Sequence, residues 1–184
     1  MQLIQNIQEL IKASQKTRVK YLFFWGHTQK SQGTIDKSCF SQWYPASFSE
    51  GDTTYLTAEH YMMAKKAELF GDLSIRDEIL KVSHPKQAKE LGRKVRSFDG
   101  AVWDENKTQI VQQANLLKFS QHPILREFLL ETGDRVIVEA SPYDRVWGIG
   151  MAWDHPHAEQ PERWRGENLL GFALMAVREQ LRSQ

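Results

Sequence analysis

Thr57-Ala58-Glu59-His60-Tyr61-Met62-Met63-Ala64-Lys65-Lys66 marks the place where the chain changes from short apolar runs to helical patterning. Thr57 has the position of an N-cap, and the residues behind it predict a helix that stops near Gly71. Glu59 and Lys66 are seven residues apart, close to two helical turns, so both project from one face with Met63 between them. On such a partly apolar wall, either the carboxylate or the amine can have its pKa moved toward neutrality. The stretch reads as a candidate active-site wall, and a solvated helix with a charged stripe is the alternative that other parts of the chain must decide against.

Upstream, Tyr21-Leu22-Phe23-Phe24-Trp25 ends at Gly26 and predicts a buried strand, followed by a polar loop over 27–38. Residues 42–48 predict a second short strand broken by Pro45, and Gly51-Asp52 a turn before Tyr55-Leu56. Downstream the pattern stays helical over 73–82, 85–97, 104–120 and 123–131, with Pro85 and Pro123 as start signals. In the 85–97 helix Ala88, Leu91 and Val95 form the apolar face. Lys86, Lys89, Arg93 and Arg96 form a basic stripe, either solvated or able to hold phosphates.

Residues 135–140 predict a strand that runs into Ser141-Pro142-Tyr143-Asp144-Arg145-Val146-Trp147-Gly148-Ile149-Gly150. A scaffolded loop of that composition is a candidate site, with an ordinary proline–glycine turn as the alternative. A last helix over 167–181 follows Gly166-Glu167-Asn168, and its N-terminus offers an anion site. Leu3, Ile4, Ile7, Leu10 and Ile11 predict a short amphipathic helix within 1–11, in an N-terminal helical extension over 1–19. No internal repeat or low-complexity segment interrupts the chain.

A length of 184 residues with 41% hydrophobic content predicts one globular domain over 1–184. The formal charge of +1 gives no global signature for nucleic acid or membrane, so an anion must be met by a local cluster. A single cysteine, Cys39, excludes an intrachain disulfide and a thiolate-rich metal site; it reads as a small buried hydrophobe in a reducing, cytoplasmic setting. No run of about 18 apolar residues and no secretory pattern at the start predict a soluble, untargeted protein. Six tryptophans and nine phenylalanines are a heavy aromatic load, suited in part to stacking planar ligands. Asp154-His155-Pro156-His157 lacks a further ligand set, so no metal is expected, and no cofactor either: the chain has no Walker loop and no GxGxxG.

Taken in order, Phe40-Ser41-Gln42-Trp43, Thr57-Ala58-Glu59-His60-Tyr61, Lys66-Ala67, Leu91-Gly92-Arg93, Trp103, Lys118-Phe119, Glu139-Ala140-Ser141-Pro142, Asp144, Trp147-Gly148 and Asn168-Leu169-Leu170-Gly171 closely resemble the NADAR family, also called YbiA-like. The resemblance runs from about Phe23 to Leu181. It implies an α+β fold, mainly helical with a few short strands in one domain, and hydrolysis of N-glycosidic bonds to ribose. Two substrate classes are implied: ADP-ribose attached to guanine in nucleic acid, and phosphoribosylamino-pyrimidine intermediates of riboflavin synthesis. The chain has Ser41-Gln42-Trp43 where YbiA-type members have Ser-Asn-Phe, and a long 27–38 loop, which favours the ADP-ribosyl-guanine class.

The resemblance makes Glu59, Lys66 and Asp144 the catalytic candidates. Trp103, Trp147, Arg93, Lys89, Asn168, Trp43 and Gly148 are the substrate-binding candidates. In one route Lys66 attacks C1 of the opened sugar and forms a Schiff base that water releases, while Glu59 moves protons and Asp144 orients ribose hydroxyls or activates water. In the other, Glu59 and Asp144 act as a carboxylate pair and Lys66 only binds phosphate. Trp103 and Trp147 would stack on the base or adenine, Arg93 and Lys89 pair phosphate oxygens, and Asn168 bind phosphate or ribose hydroxyls. Two further readings are a non-catalytic NAD or ADP-ribose binding module, and a nucleic-acid binder that uses the Lys86 to Arg96 stripe.

Overall fold

The computed structural model describes residues 4–31 and 33–184. In chain order these form α1 (Ile7–Lys16), β1 (Tyr21–Phe24), β2 (Phe48–Glu50), β3 (Thr53–Tyr55), α2 (Ala58–Leu69), α3 (Leu73–Ile79), α4 (Pro85–Gly92), α5 (Gly100–Gln121), α6 (Pro123–Leu130), β4 (Val136–Glu139) and α7 (Leu169–Arg182). The fold is α+β and mainly helical, with short strands only. The chain packs as two compact units, one from residues up to Ser41 together with Pro123 onward, the other from Gln42 to His122.

In the first unit β1 and β4 pair in parallel, from Tyr21 opposite Val136 to Phe24 opposite Glu139. Val136, Ile137 and Val138 are all buried, the pattern of a strand covered on both faces rather than the alternation of a half-exposed one. Helix α7 packs on β4, and Gly171 is what lets it come close: a Cβ there would strike the Ile137 carbonyl oxygen and the Asn168 side chain. Buried Arg178 ties α7 to the turn behind α6, donating to Thr132 Oγ1 and the Arg135 carbonyl, both at 2.8 Å. The N-terminal helix lies further along than predicted, because Asn6 caps it by accepting from the Glu9 N–H at 2.9 Å. Ile7, Leu10 and Ile11 therefore lie in it, while Ile4 precedes it and Leu3 falls outside the described residues.

In the second unit β2 and β3 form an antiparallel hairpin, Phe48 opposite Tyr55, that turns at Gly51 with φ +56°. The strand predicted over 42–48 begins only at Phe48, since Pro45 lacks a donor and the preceding backbone is used elsewhere: the Gln42 carbonyl accepts from the Glu59 N–H at 2.9 Å. Helix α2 runs through the middle of this unit, packed by α3, α4 and α5, and it is buried from Ala58 to Ala64. It is a core helix, not an amphipathic surface one.

Pro85 starts α4 as predicted, but the helix ends at Gly92 instead of running to residue 97. Gly92 lies against Met63, where any Cβ would meet the sulfur, and the Lys94 N–H turns back to the Leu91 carbonyl at 2.8 Å. Helix α5 starts earlier than predicted because Asp99 caps it, accepting from the Ala101 and Val102 N–H groups at 2.8 and 3.1 Å. Trp103 thereby enters the first turn of α5.

Candidate active site

The Thr57 side chain caps α2, accepting from the His60 N–H at 3.3 Å, and so starts the helix at Ala58 with Glu59 in its first turn. Glu59 is buried. Its backbone is held by Gln42, whose side-chain oxygen in turn accepts from the fully buried Asn115 amide at 2.8 Å. The expected spacing is realised in a continuous helix. Met63 and Lys66 both meet the end of α4, Met63 at Gly92 and Lys66 by donating from Nζ to the Gly92 carbonyl at 2.8 Å.

Lys66 is half-buried, with Nζ 4.3 Å from the centroid of the Phe98 ring and 5.6 Å from that of Trp103. Burial, followed by the positive charge of Arg93, lowers the Lys66 pKa below the ordinary lysine value. The neutral, nucleophilic form of the amine is therefore favoured relative to an exposed lysine. Arg93, exposed, stands at the C-cap of α4. Lys89 lies with Nζ 5.9 Å from the Trp43 ring, which His84 meets edge-on at 6.1 Å. Lys66, Trp103 and Arg93 are thus gathered at the α2 to α5 end of one unit, and Lys89 is placed with Trp43.

The basic stripe is broken. Arg96 lies beyond the end of α4 and pairs with Asp72 at 2.6 Å, off the helical stripe. The Phe98 ring beside Lys66 was not legible in the sequence, because the contact depends on how the segment after α4 folds back. Lys118, fully buried on α5 with Nζ 4.9 Å from the Phe119 ring, showed in the sequence only as part of a family match.

In the other unit, the loop behind β4 is organised by its own side chains. Asp144 Oδ1 accepts from the N–H groups of Val146 and Trp147 at 2.9 and 2.7 Å, while Ser141 Oγ accepts from the Asp144 N–H at 3.2 Å. This leaves Trp147 half-buried. Gly148 is closely packed: an added Cβ would lie 2.8 Å from the Glu139 carbonyl oxygen and 3.1 Å from that of Asp144. Asn168 is tied into the scaffold. It is wholly buried with φ +54°, its Oδ1 accepts from the Glu139 N–H at 2.9 Å, and its Nδ2 donates to the Ile137 carbonyl at 3.0 Å. The anion site predicted at the start of α7 is likewise closed, since the N–H groups of Asn168, Leu169 and Leu170 donate to the carbonyls of Gly148, Val146 and Trp147.

Cys39 is fully buried. Among the described residues no three His, Cys, Asp or Glu side chains come together as a metal site, and no helix is long and apolar enough to cross a membrane.

The sequence model of the NADAR domain matches residues 23–182, running through both units as one domain. The chain is similar to an N-glycosidase of Acanthamoeba polyphaga mimivirus, 45% identical over 166 residues that make up 88% of this chain and 96% of that protein. An N-glycosidase of Nostoc punctiforme is 39% identical over 145 residues, 79% of this chain and 86% of that one. Among solved structures, the NMR structure of Escherichia coli YbiA resembles it with a TM-score of 0.65 and 31% identity, covering 90% of each chain. With these matches along nearly its whole length, the chain belongs to the NADAR family and is an enzyme with N-glycosidase activity.

Proposed function

We propose that the enzyme hydrolyses the bond between ribose and an exocyclic amine of guanine, releasing ADP-ribose from modified nucleic acid by way of a Schiff base on Lys66. The observation that carries this is the state of the Lys66 amine, half-buried, lowered in pKa and flanked by the Phe98 and Trp103 rings. In such an aminal the bond from C1 to the ring oxygen opens, leaving an imine to the base. Neutral Lys66 then forms a bond to C1, the bond from C1 to the base nitrogen breaks, and its electron pair stays on that nitrogen, which is protonated as it leaves. Water adds to the resulting lysine imine, the amine departs, and the sugar closes again.

Glu59 serves as the proton carrier on the same helix. Trp103 gives a flat wall for the base, and Lys89 beside Trp43 supplies a cation next to an aromatic surface. That second aromatic and basic feature suits a ligand with an adenine and a pyrophosphate in addition to the ribose. Asp144 is given a positioning part, fixing the turn that presents Trp147.

The test is incubation with DNA carrying ADP-ribosylated guanine and, separately, with a phosphoribosylamino-pyrimidine, followed by analysis for free ADP-ribose and ribose 5-phosphate. ADP-ribose release should dominate, Lys66→Ala should lower turnover by about a thousandfold or more, and borohydride should trap a sugar adduct on Lys66. Preferential release of ribose 5-phosphate would transfer the assignment to the pyrimidine substrate. Tight binding of ADP-ribose with no turnover of either compound would leave a binding module.

A further inference from the structure

Phe98 lies on the segment between α4 and α5 and remains 48% exposed, yet its ring is the closer of the two aromatic rings at the Lys66 nitrogen. An apolar ring left in water on an irregular segment needs something to hold it in place. Three features do so. The Arg96 backbone N–H, Nε and Nη2 donate to the Asp72 carboxylate at 2.9, 3.0 and 2.6 Å, and the Asp72 side chain is only 1% exposed. Ser97 adopts φ +54°, a left-handed turn that a non-glycine residue takes only when its surroundings impose it. Phe98 then meets Phe70, the C-cap of α2, edge-on at 5.3 Å. Because Asp72 also caps α3, accepting from the Ile75 N–H, the clasp is anchored to a helix end.

We infer that Phe98 is a further catalytic residue at Lys66, its ring stabilising the cationic iminium formed on that nitrogen, and that the Asp72–Arg96 clasp is the positioning device that holds the ring there. The inference rests on Lys66 as the reacting amine. A ring face attracts a full positive charge far more than a neutral amine, so, measured from the free amine that attacks, the contact strengthens as the iminium forms. An interaction that grows along the reaction accelerates it, whereas one that is equal throughout does not. The charge concerned is the one created when the Lys66 nitrogen bonds to C1 and the base departs with the electron pair of the broken bond.

The test is a series of Phe98→Leu, Phe98→Tyr, Arg96→Gln, the double variant Phe98→Leu with Arg96→Gln, and Lys66→Ala. Each is measured for kcat and KM and for melting temperature. Site-resolved labelling of Lys66 by ribose 5-phosphate with cyanoborohydride is read by mass spectrometry. Phe98→Leu should lower kcat about tenfold with KM little changed, and should slow Lys66 labelling similarly. Phe98→Tyr should retain most of both. Arg96→Gln should lower kcat, and the double variant should lose no more than Phe98→Leu alone, because the clasp acts through the ring.

Unchanged kcat and unchanged labelling in a folded Phe98→Leu protein would overturn the role of the ring. Losses that multiply in the double variant would overturn the clasp. If Lys66→Ala keeps its activity, the Lys66 reading fails; if Lys66→Ala is inactive while Phe98→Leu is not impaired, only the present inference fails. The labelling measurement requires no nucleoside substrate and decides the ring's role by itself.

Discussion

In the proposed route Lys66 must lose its proton more readily than an exposed lysine, and burial and Arg93 both act in that direction. The sign is simple. Both influences disfavour the ammonium form, so the fraction of free amine at any pH below about 10 exceeds that of an ordinary lysine. kcat/KM should therefore rise with pH through an inflection below the ordinary lysine value, and Arg93→Gln should move that inflection upward. A pH profile that stays flat through the lysine range would argue for the route in which Lys66 only binds phosphate. At this scale the helix shared by Glu59 and Lys66 was legible, because cap and spacing need no knowledge of the fold. Phe98 and Asp72 were hidden, since the clasp links residues 24 apart in the chain and exists only once α3 and the segment after α4 are folded.

Helices were legible where chemistry marks their ends. Thr57, Pro85 and Pro123 each stand at or just before an observed helix start, as the capping and proline rules require. Where the end is set by a tertiary contact the reading failed. The lysines and arginines from Lys86 to Arg96 keep helical spacing, but α4 stops at Gly92, against Met63, and Arg96 is taken by Asp72. Asn168 shows a related effect: a polar residue before a helix suggests a ligand site, and only the packing of α7 on β4 shows that its side chain satisfies strand backbone. That packing has a sharp test in Gly171→Ala. Since the added methyl meets the Ile137 carbonyl and the Asn168 amide and neither can retreat, the variant should lose on the order of 3 kcal/mol and melt about 10 °C lower in thermal unfolding.

For the molecule as a whole, composition did little more than exclude. A formal charge of +1 gives no long-range attraction for a polyanion, and Arg96 is paired with Asp72. Activity on a DNA substrate should accordingly fall only gently with salt, with a slope of log kcat/KM against log salt of about −1 to −2. A slope several times steeper would revive the extended basic stripe as a nucleic-acid surface. The fold class and family extent were legible because the ordered matches from Phe23 onward sum over the whole chain, and the NADAR match does cover residues 23–182. What no composition or periodicity conveys is which of the matched residues shape the scaffold and which face a ligand.

The loop over 141–150 has the glycines and proline of a mobile lid, yet the N–H groups of Asn168, Leu169 and Leu170 are bonded to its carbonyls, and Asn168 is bonded to the backbone of β4. The loop cannot lift without fraying the first turn of α7 and unlatching the strand beside it. Trp147 is thus carried on a turn that is bonded into the core of its own unit.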